Sequence, residues 1–337
     1  MSRPSVKDVA RTAGVSLGTV SNVLNRPDLV RPETRARVEA AIAELGFVRN
    51  DSARQLRAGD SRTIAYLVLD AANPFFMDVA RGIDAVAREA GLTVFLCDSG
   101  QDRGREDDYL DALMSQRVKG ICITPVDPAN PRLDDMLKRG IPVVAVDALA
   151  DTARWCSVGV DDVLGGRIAA DHLLATGHKR IAYAGETEGL AQSRQRLEGA
   201  RAAVAEAGRA PDALEVLATP GMRVDDGRGA AARFLALPKR RRPTGIFCGN
   251  DLIALGVLQG LTQDGISVPD DVSLVGYDDI DFAAAAAVPL TSVMQPRLEM
   301  GRAATQSLLA EASEGDEHEH RHVTFAPELV IRRSTGG

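Results

Sequence analysis

From Thr63 onward the chain alternates short apolar runs with amphipathic stretches of about 10–18 residues, and this alternation excludes most architectures. The runs are Ile64–Leu69, Val94–Cys97, Ile121–Thr124, Val143–Val146, Ile181–Ala184, Ile246–Cys248 and Ser273–Tyr277. A helical stretch is expected after each of the first six, for example over Phe75–Ala90, Glu106–Gln116 and Leu252–Gln263. A strand apolar on both faces that returns after a helix is a parallel strand buried between helix layers. The number of repeats suits two doubly wound sheets better than one, and no tandem repeat of fixed period is visible.

The first sixty residues follow a different rule. Val6–Ala13 is a short amphipathic helix that Gly14 stops. Ser16 is a good N-cap for a second helix running to about Leu24. Pro32 suits a first helical position, and Val38, Ala41, Ile42 and Leu45 then fall on one face before Gly46 ends the helix. Charge divides at the same place. Residues 1–60 carry ten Lys/Arg and seven Asp/Glu, whereas the remainder carries 30 and 40, within an overall net charge of −7. A basic head on an acidic body presents one end to a polyanion.

Two crossed helices around Val9, Ala10, Val15, Val20 and Val23, with Gly14 at the tight turn, have the physics of a helix-turn-helix. Ser16, Thr19, Ser21 and Asn25 are short polar groups able to bond phosphate oxygens from the second helix. Over Val6–Leu56 the chain resembles the lactose/galactose repressor family. That resemblance makes Ser16–Leu24 the recognition helix in the major groove of double-stranded DNA and puts base-reading positions at Leu17, Gly18 and Asn22. Asn22 can pair bidentately with adenine, Leu17 offers an apolar contact, and Gly18 has no reach. Asn50–Arg57 resembles the family's hinge helix, which implies minor-groove contacts at Asn50, Ala53 and Leu56, with Leu56 as a wedge that kinks the duplex. The expected division is residues 1–48 for the head, 49–61 for hinge and linker, and 62–337 for the core. Within the core, about 62–160 and 293–324 form one subdomain, and about 161–291 and 325–335 the other.

In open α/β sheets ligands bind beyond the carboxyl ends of strands. Reading those ends gives Asp70, Asp147, Asn250, Asp251 and Asp278, a ring of carboxylates and an amide suited to several hydroxyl groups. Asn73-Pro74-Phe75-Phe76 adds aromatic faces for a sugar ring. The core, Thr63 to about Ser334, resembles the family's sensor domains and the ribose-type periplasmic binding proteins. Carried over by position, that resemblance implies effector contacts at Asn73, Phe75, Phe76, Asp147, Arg196, Asn250, Asp278 and Gln295. Ala148 stands where the ribose-type proteins have a second cationic contact, and Met222 where some have a further aromatic.

The remaining features read as ordinary. Cys97, Cys122, Cys156 and Cys248 form no C-x-x-C pair and suit reduced core thiols. Glu317–His322 reads as a solvated charged run, so no metal is expected. Lys239–Arg242 reads as a surface turn. Gly165-Gly166 and Gly227-Arg228-Gly229 lack the context of a nucleotide loop. No activated nucleophile, metal set or cofactor loop points to an enzyme, and no cofactor is expected. The N-terminus shows no export signal and no stretch suits a membrane span, so a cytoplasmic protein is expected, and the absence of a C-terminal heptad extension points to a homodimer. The reading is a transcription regulator whose operator affinity is switched by a small molecule, a sugar first. A phosphorylated sugar, a nucleoside or a partner protein is the alternative effector, and a transport-type sugar-binding protein is the competing function.

Overall fold

The computed structural model describes residues 4–47, 61–148 and 154–336. The chain divides into two compact units, Met1–Asp60 and Ser61–Gly337. Asn50, Ala53 and Leu56 lie outside the described residues.

In the first unit, α1 (Val6–Ala13), α2 (Leu17–Asn25) and α3 (Pro32–Leu45) follow from local signals. The Asp8 carboxylate accepts the Ser5 backbone N–H at 2.9 Å and fastens the first turn of α1. Gly14 ends α1 at φ 62°, a left-handed conformation that any side chain would strain. Ser16 Oγ accepts the Thr19 N–H at 3.1 Å and starts α2. Val9, Ala10, Ala13, Val20, Val23, Val38 and Ala41 close a small core between the helices.

The second unit holds two six-stranded sheets. The first is built from β1 (Thr63–Val68), β2 (Thr93–Asp98), β3 (Ile121–Ile123), β4 (Val143–Val146), β5 (Cys156–Val160) and β11 (His322–Phe325), in the order β11-β5-β4-β3-β1-β2. The second is built from β6 (Ile181–Gly185), β7 (Leu214–Ala218), β8 (Gly245–Cys248), β9 (Ser273–Asp278), β10 (Thr291–Met294) and β12 (Glu328–Val330), in the order β12-β10-β9-β8-β6-β7. Every pairing is parallel except β10 with β12, so the wholly parallel expectation needs one correction at that edge. No helix is described between β4 and β5, another departure from the strict alternation. The chain passes between the sheets after β5, after β10 and again between β11 and β12.

Helices α4 (Pro74–Glu89), α5 (Arg103–Gln116), α6 (Pro131–Lys138) and α12 (Arg297–Glu314) accompany the first sheet. Helices α7 (Asp162–Ala175), α8 (Ala191–Glu206), α9 (Val224–Ala236), α10 (Asp251–Gln263) and the short α11 (Asp281–Ala285) accompany the second. The pair Gly165-Gly166 on α7 is explained by packing: a Cβ on Gly165 would strike the Tyr277 ring, and Gly166 meets α8 opposite Gly199. A Cβ on Gly166 would strike the Arg196 carbonyl, and one on Gly199 the Val163 carbonyl, so the two helices touch backbone to backbone. That contact sets where Arg196 stands.

Candidate DNA-reading face and effector cleft

In the head, the side chains expected to meet DNA sit on the open side of α2. Val20 and Val23 face the core, whereas Ser16, Leu17, Gly18, Asn22 and Asn25 are exposed and Thr19 and Ser21 half-buried. Leu17 is 47 % exposed, a large apolar side chain held in water at the start of the helix. Ser16 Oγ and Thr19 Oγ1 lie 2.9 Å apart, and Asn25 Nδ2 donates to the Ser21 carbonyl at 2.8 Å. These contacts order the rim of the face, and no hydrogen bond is described for the Asn22 side chain.

In the core, the carboxyl ends of β1, β4, β8 and β9 converge on a cleft of about 480 Å³, its mouth included. Asn73, Phe75, Phe76, Asp147, Arg196, Asn250 and Asp278 all line it. Phe75 and Phe76 pack edge to face with centroids 5.1 Å apart and also belong to the hydrophobic core, so each serves both roles. Arg196 Nε donates to Asp162 Oδ1 at 2.7 Å, Nη1 donates to the Gly249 carbonyl at 2.8 Å, and the guanidinium lies 3.7 Å from the Tyr277 ring centroid. Tyr277 Oη donates to the same Asp162 oxygen at 2.8 Å.

Three polar ties join the two halves across the cleft. Asn73 Nδ2 donates to Asp278 Oδ2 at 3.1 Å. Gln192 Nε2 donates to the Asp147 carbonyl at 2.5 Å, and Arg223 Nε to Asp70 Oδ2 at 3.0 Å. Burial pushes the Asp147 carboxyl well up from its ordinary value, reinforced by Asp162 and Asp278 and opposed by Arg196. Burial also pushes Asp278 up, against Arg196 and the donors from Asn73 and Gln295. Asp147 Oδ1 is buried without a hydrogen-bond partner. Asp147 and Asp278 hold φ of 55° and 100°, left-handed backbone that is uncommon outside glycine although aspartate tolerates it better than most residues.

The geometry corrects several expectations. Gln295 does not line the cleft: its Nε2 donates to Asp278 Oδ1 at 2.8 Å, so it holds that carboxylate from behind. Asp251 also turns away, accepting from Ser292 Oγ at 2.7 Å and the Ile280 N–H at 2.9 Å. Asn250 lines the cleft while capping α10, with Oδ1 taking the Ile253 N–H at 2.9 Å and Nδ2 donating to the Met222 carbonyl. Gln101, Leu190, Gln192 and Ser193 are wall residues that the sequence reading missed. They follow β2 and β6, whose carboxyl ends carry the same signal as the four that were read. A second hollow of about 680 Å³, mouth included, opens from Asp147 and Gln192 toward Ala148 and Trp155. Glu317–His322 is not uniformly solvated, because the His318 side chain is 1 % exposed.

Among the described residues, no helix is long and apolar enough to cross a membrane. Residues 5–50 match the family described as bacterial regulatory proteins, lacI family, and residues 170–335 match a periplasmic binding protein-like domain. The HTH-type transcriptional repressor PurR of Vibrio parahaemolyticus is 37 % identical over 98 % of this chain and 98 % of its own. The ribose operon repressor of Escherichia coli is 35 % identical over 98 % of this chain and 99 % of its own. The structure of the lac repressor dimer bound to operator and the anti-inducer ONPF superposes with a TM-score of 0.82 at 28 % identity, covering 99 % of both chains. The chain belongs to the lacI family of bacterial regulatory proteins, whose members are DNA-binding transcriptional regulators rather than enzymes.

Proposed function

We propose that this regulator is a cytoplasmic repressor that binds a pseudo-palindromic operator as a homodimer and changes its operator affinity when a small carbohydrate occupies the cleft. The observation that carries the effector reading is the composition of the cleft. Carboxylates at Asp147 and Asp278, the Arg196 guanidinium and the amides of Asn73 and Gln192 line the cleft together with two aromatic rings. Asp147 Oδ1, buried without a partner, is an acceptor for a ligand hydroxyl. A polyhydroxylated ring offers donors to the carboxylates, acceptors to the arginine and apolar C–H faces to Phe75 or Phe76. The relationship to a ribose operon repressor supports the same class. Asn73, Phe75, Phe76, Asp147, Arg196, Asn250 and Asp278 are the proposed contacts, with Gln295 positioning Asp278.

On DNA, Leu17, Gly18 and Asn22 face the bases and Ser16, Thr19, Ser21 and Asn25 the phosphates, with Asn50, Ala53 and Leu56 in the minor groove. Pairing of two copies is supported by the exposed Phe95 and Leu96 on edge strand β2 and by the exposed Phe282. Ligand bridging the two sheets shifts the angle between them, and the dimer transmits that shift to the spacing of its two heads.

The test is a thermal-shift screen of the full chain against pentoses, hexoses, disaccharides, sugar phosphates and nucleosides. A ligand at a hundred times its Kd stabilises the core by about 2.7 kcal/mol. A shift from one free sugar, lost in Asp147→Asn, supports the reading. A shift from a nucleoside or a phosphorylated compound alone replaces the free sugar as effector.

A further inference from the structure

We propose that Cys156, Glu311, His318 and His320 form a closed four-ligand site for a borderline-soft divalent cation of the zinc type. The site lies away from the cleft, between the start of β5, the last turns of α12 and the segment that leads into β11. The thiol, the carboxylate and one nitrogen of each imidazole all lie within 4.8 Å of one another. Cys156 Sγ is 3.2 Å from His318 Nε2 and 4.0 Å from His320 Nδ1, and His320 Nδ1 is 3.8 Å from Glu311 Oε2. Tetrahedral coordination with bonds of about 2.0–2.3 Å puts ligand atoms roughly 3.3–3.8 Å apart, so contraction of the widest separations by about one ångström closes the shell.

Two independent observations point into this cluster. Glu311 is only 9 % exposed, and its Oε2 is buried without a hydrogen-bond partner, an arrangement that costs free energy unless something supplies positive charge there. His318 Nδ1 lies 2.6 Å from Glu314 Oε2. That contact lets the ring donate its Nδ1–H to a carboxylate and leaves the Nε2 lone pair aimed at the cluster, the carboxylate–histidine pairing that orients metal-bound imidazoles. In addition, the Arg321 backbone N–H donates to Cys156 Sγ at 3.3 Å and would stabilise a thiolate. One sulfur, two nitrogens and one oxygen select zinc over magnesium or calcium, which take oxygen shells. Such an ion ties β5 to the approach to its neighbour β11, at the edge of the first sheet and next to two of the points where the chain passes to the second.

The experiment uses the full chain without a polyhistidine tag, stripped with chelator and titrated with Co(II). The expected result is one equivalent bound with tetrahedral ligand-field bands and a thiolate-to-cobalt charge-transfer band, all bleached by one equivalent of Zn(II). Cys156→Ser removes the charge-transfer band, whereas Cys97→Ser leaves it unchanged. His318→Gln and His320→Gln abolish the tetrahedral bands. His320 is the more accessible of the two and keeps the test valid if the buried variants fold poorly. Glu314→Gln weakens binding about 10- to 100-fold. A weak octahedral spectrum in the parent protein overturns the proposal. So does a charge-transfer band that survives Cys156→Ser, or tetrahedral bands that survive His320→Gln.

Discussion

Replacing Arg196 with methionine removes the only cation in contact with the Asp162 carboxylate among the described residues. The pair is deep: the two side chains are 5 % and 4 % exposed, and Nε meets Oδ1 at 2.7 Å. Arg196 Nη1 also lies 3.9 Å from Asp278 Oδ1, and the guanidinium opposes the upward shift of Asp147. Methionine fills much of the same volume, so packing loss is secondary, while Asp162 keeps only its bond from Tyr277 Oη and a short loop of charge is left unbalanced. Removing one partner of a buried pair costs about 3–5 kcal/mol. At about 2–4 °C per kcal/mol for a domain of this size, the core should melt roughly 6–20 °C lower near pH 8. The deficit has a definite pH dependence. Asp147 and Asp278 already titrate above their unfolded value of 3.8, so the folded state holds more protons and loses stability as pH rises through their folded values. Loss of Arg196 raises both further, so the gap between variant and parent widens with rising pH and narrows as pH falls toward 4. Differential scanning calorimetry between pH 5 and 8.5 measures this. A drop of under about 3 °C, or a deficit that does not change with pH, would refute the electrostatic account of the cleft wall.

Three further predictions follow from the two sites. Asn22→Ala, on the exposed face of α2, should weaken operator binding about 5- to 150-fold, corresponding to ~1–3 kcal/mol, and relax discrimination at one base pair; fluorescence anisotropy with a panel of single-base operator variants checks it, with effector affinity unchanged. Gly14→Val forces a β-branched side chain into φ 62°, so the head should lose about 1–2 kcal/mol and operator affinity should fall while ligand-induced stabilisation of the core persists. Asp147→Asn removes a carboxyl whose burial is unfavourable when ionised, so the ligand-free core should melt at the same or a higher temperature at pH 8, yet lose the ligand-induced shift in the same scan.

The head was legible almost to the residue because its signals are local. Gly14 and Gly46 need left-handed backbone, Ser16 caps α2, and Pro32 opens α3. The central strands were legible because both faces are apolar. The missed strands have weaker patterns. β5 and β10 are buried, but Ser157 and Gly159 break the apolar run of one and Thr291 and Ser292 that of the other; β7 carries Glu215 and is only partly buried, β12 is three residues long, and β11 follows a charged run, so none presents a continuous apolar signal. Of the cleft, side chains at strand ends could be placed, but their orientation could not. Asp251 and Asp278 look alike in sequence, yet Ser292 and the Ile280 N–H hold one inward while left-handed backbone turns the other to the cleft. Gln295 shows the same limit, since position along the chain does not say which side of Asp278 it occupies. Contacts made across the cleft, such as Arg223 with Asp70, are 153 residues apart and have no local signature.

The most direct test of the central claim joins the two sites in one measurement. Operator DNA selected from a random duplex pool by the full chain is titrated by anisotropy with and without the ligand that stabilises the core. Two inverted half-sites should emerge, and the ligand should change operator Kd about 5- to 150-fold, a coupling of ~1–3 kcal/mol, with the change lost in Asp147→Asn. A ligand that stabilises the core but leaves operator Kd unchanged would contradict the account, as would a selection that enriches no sequence.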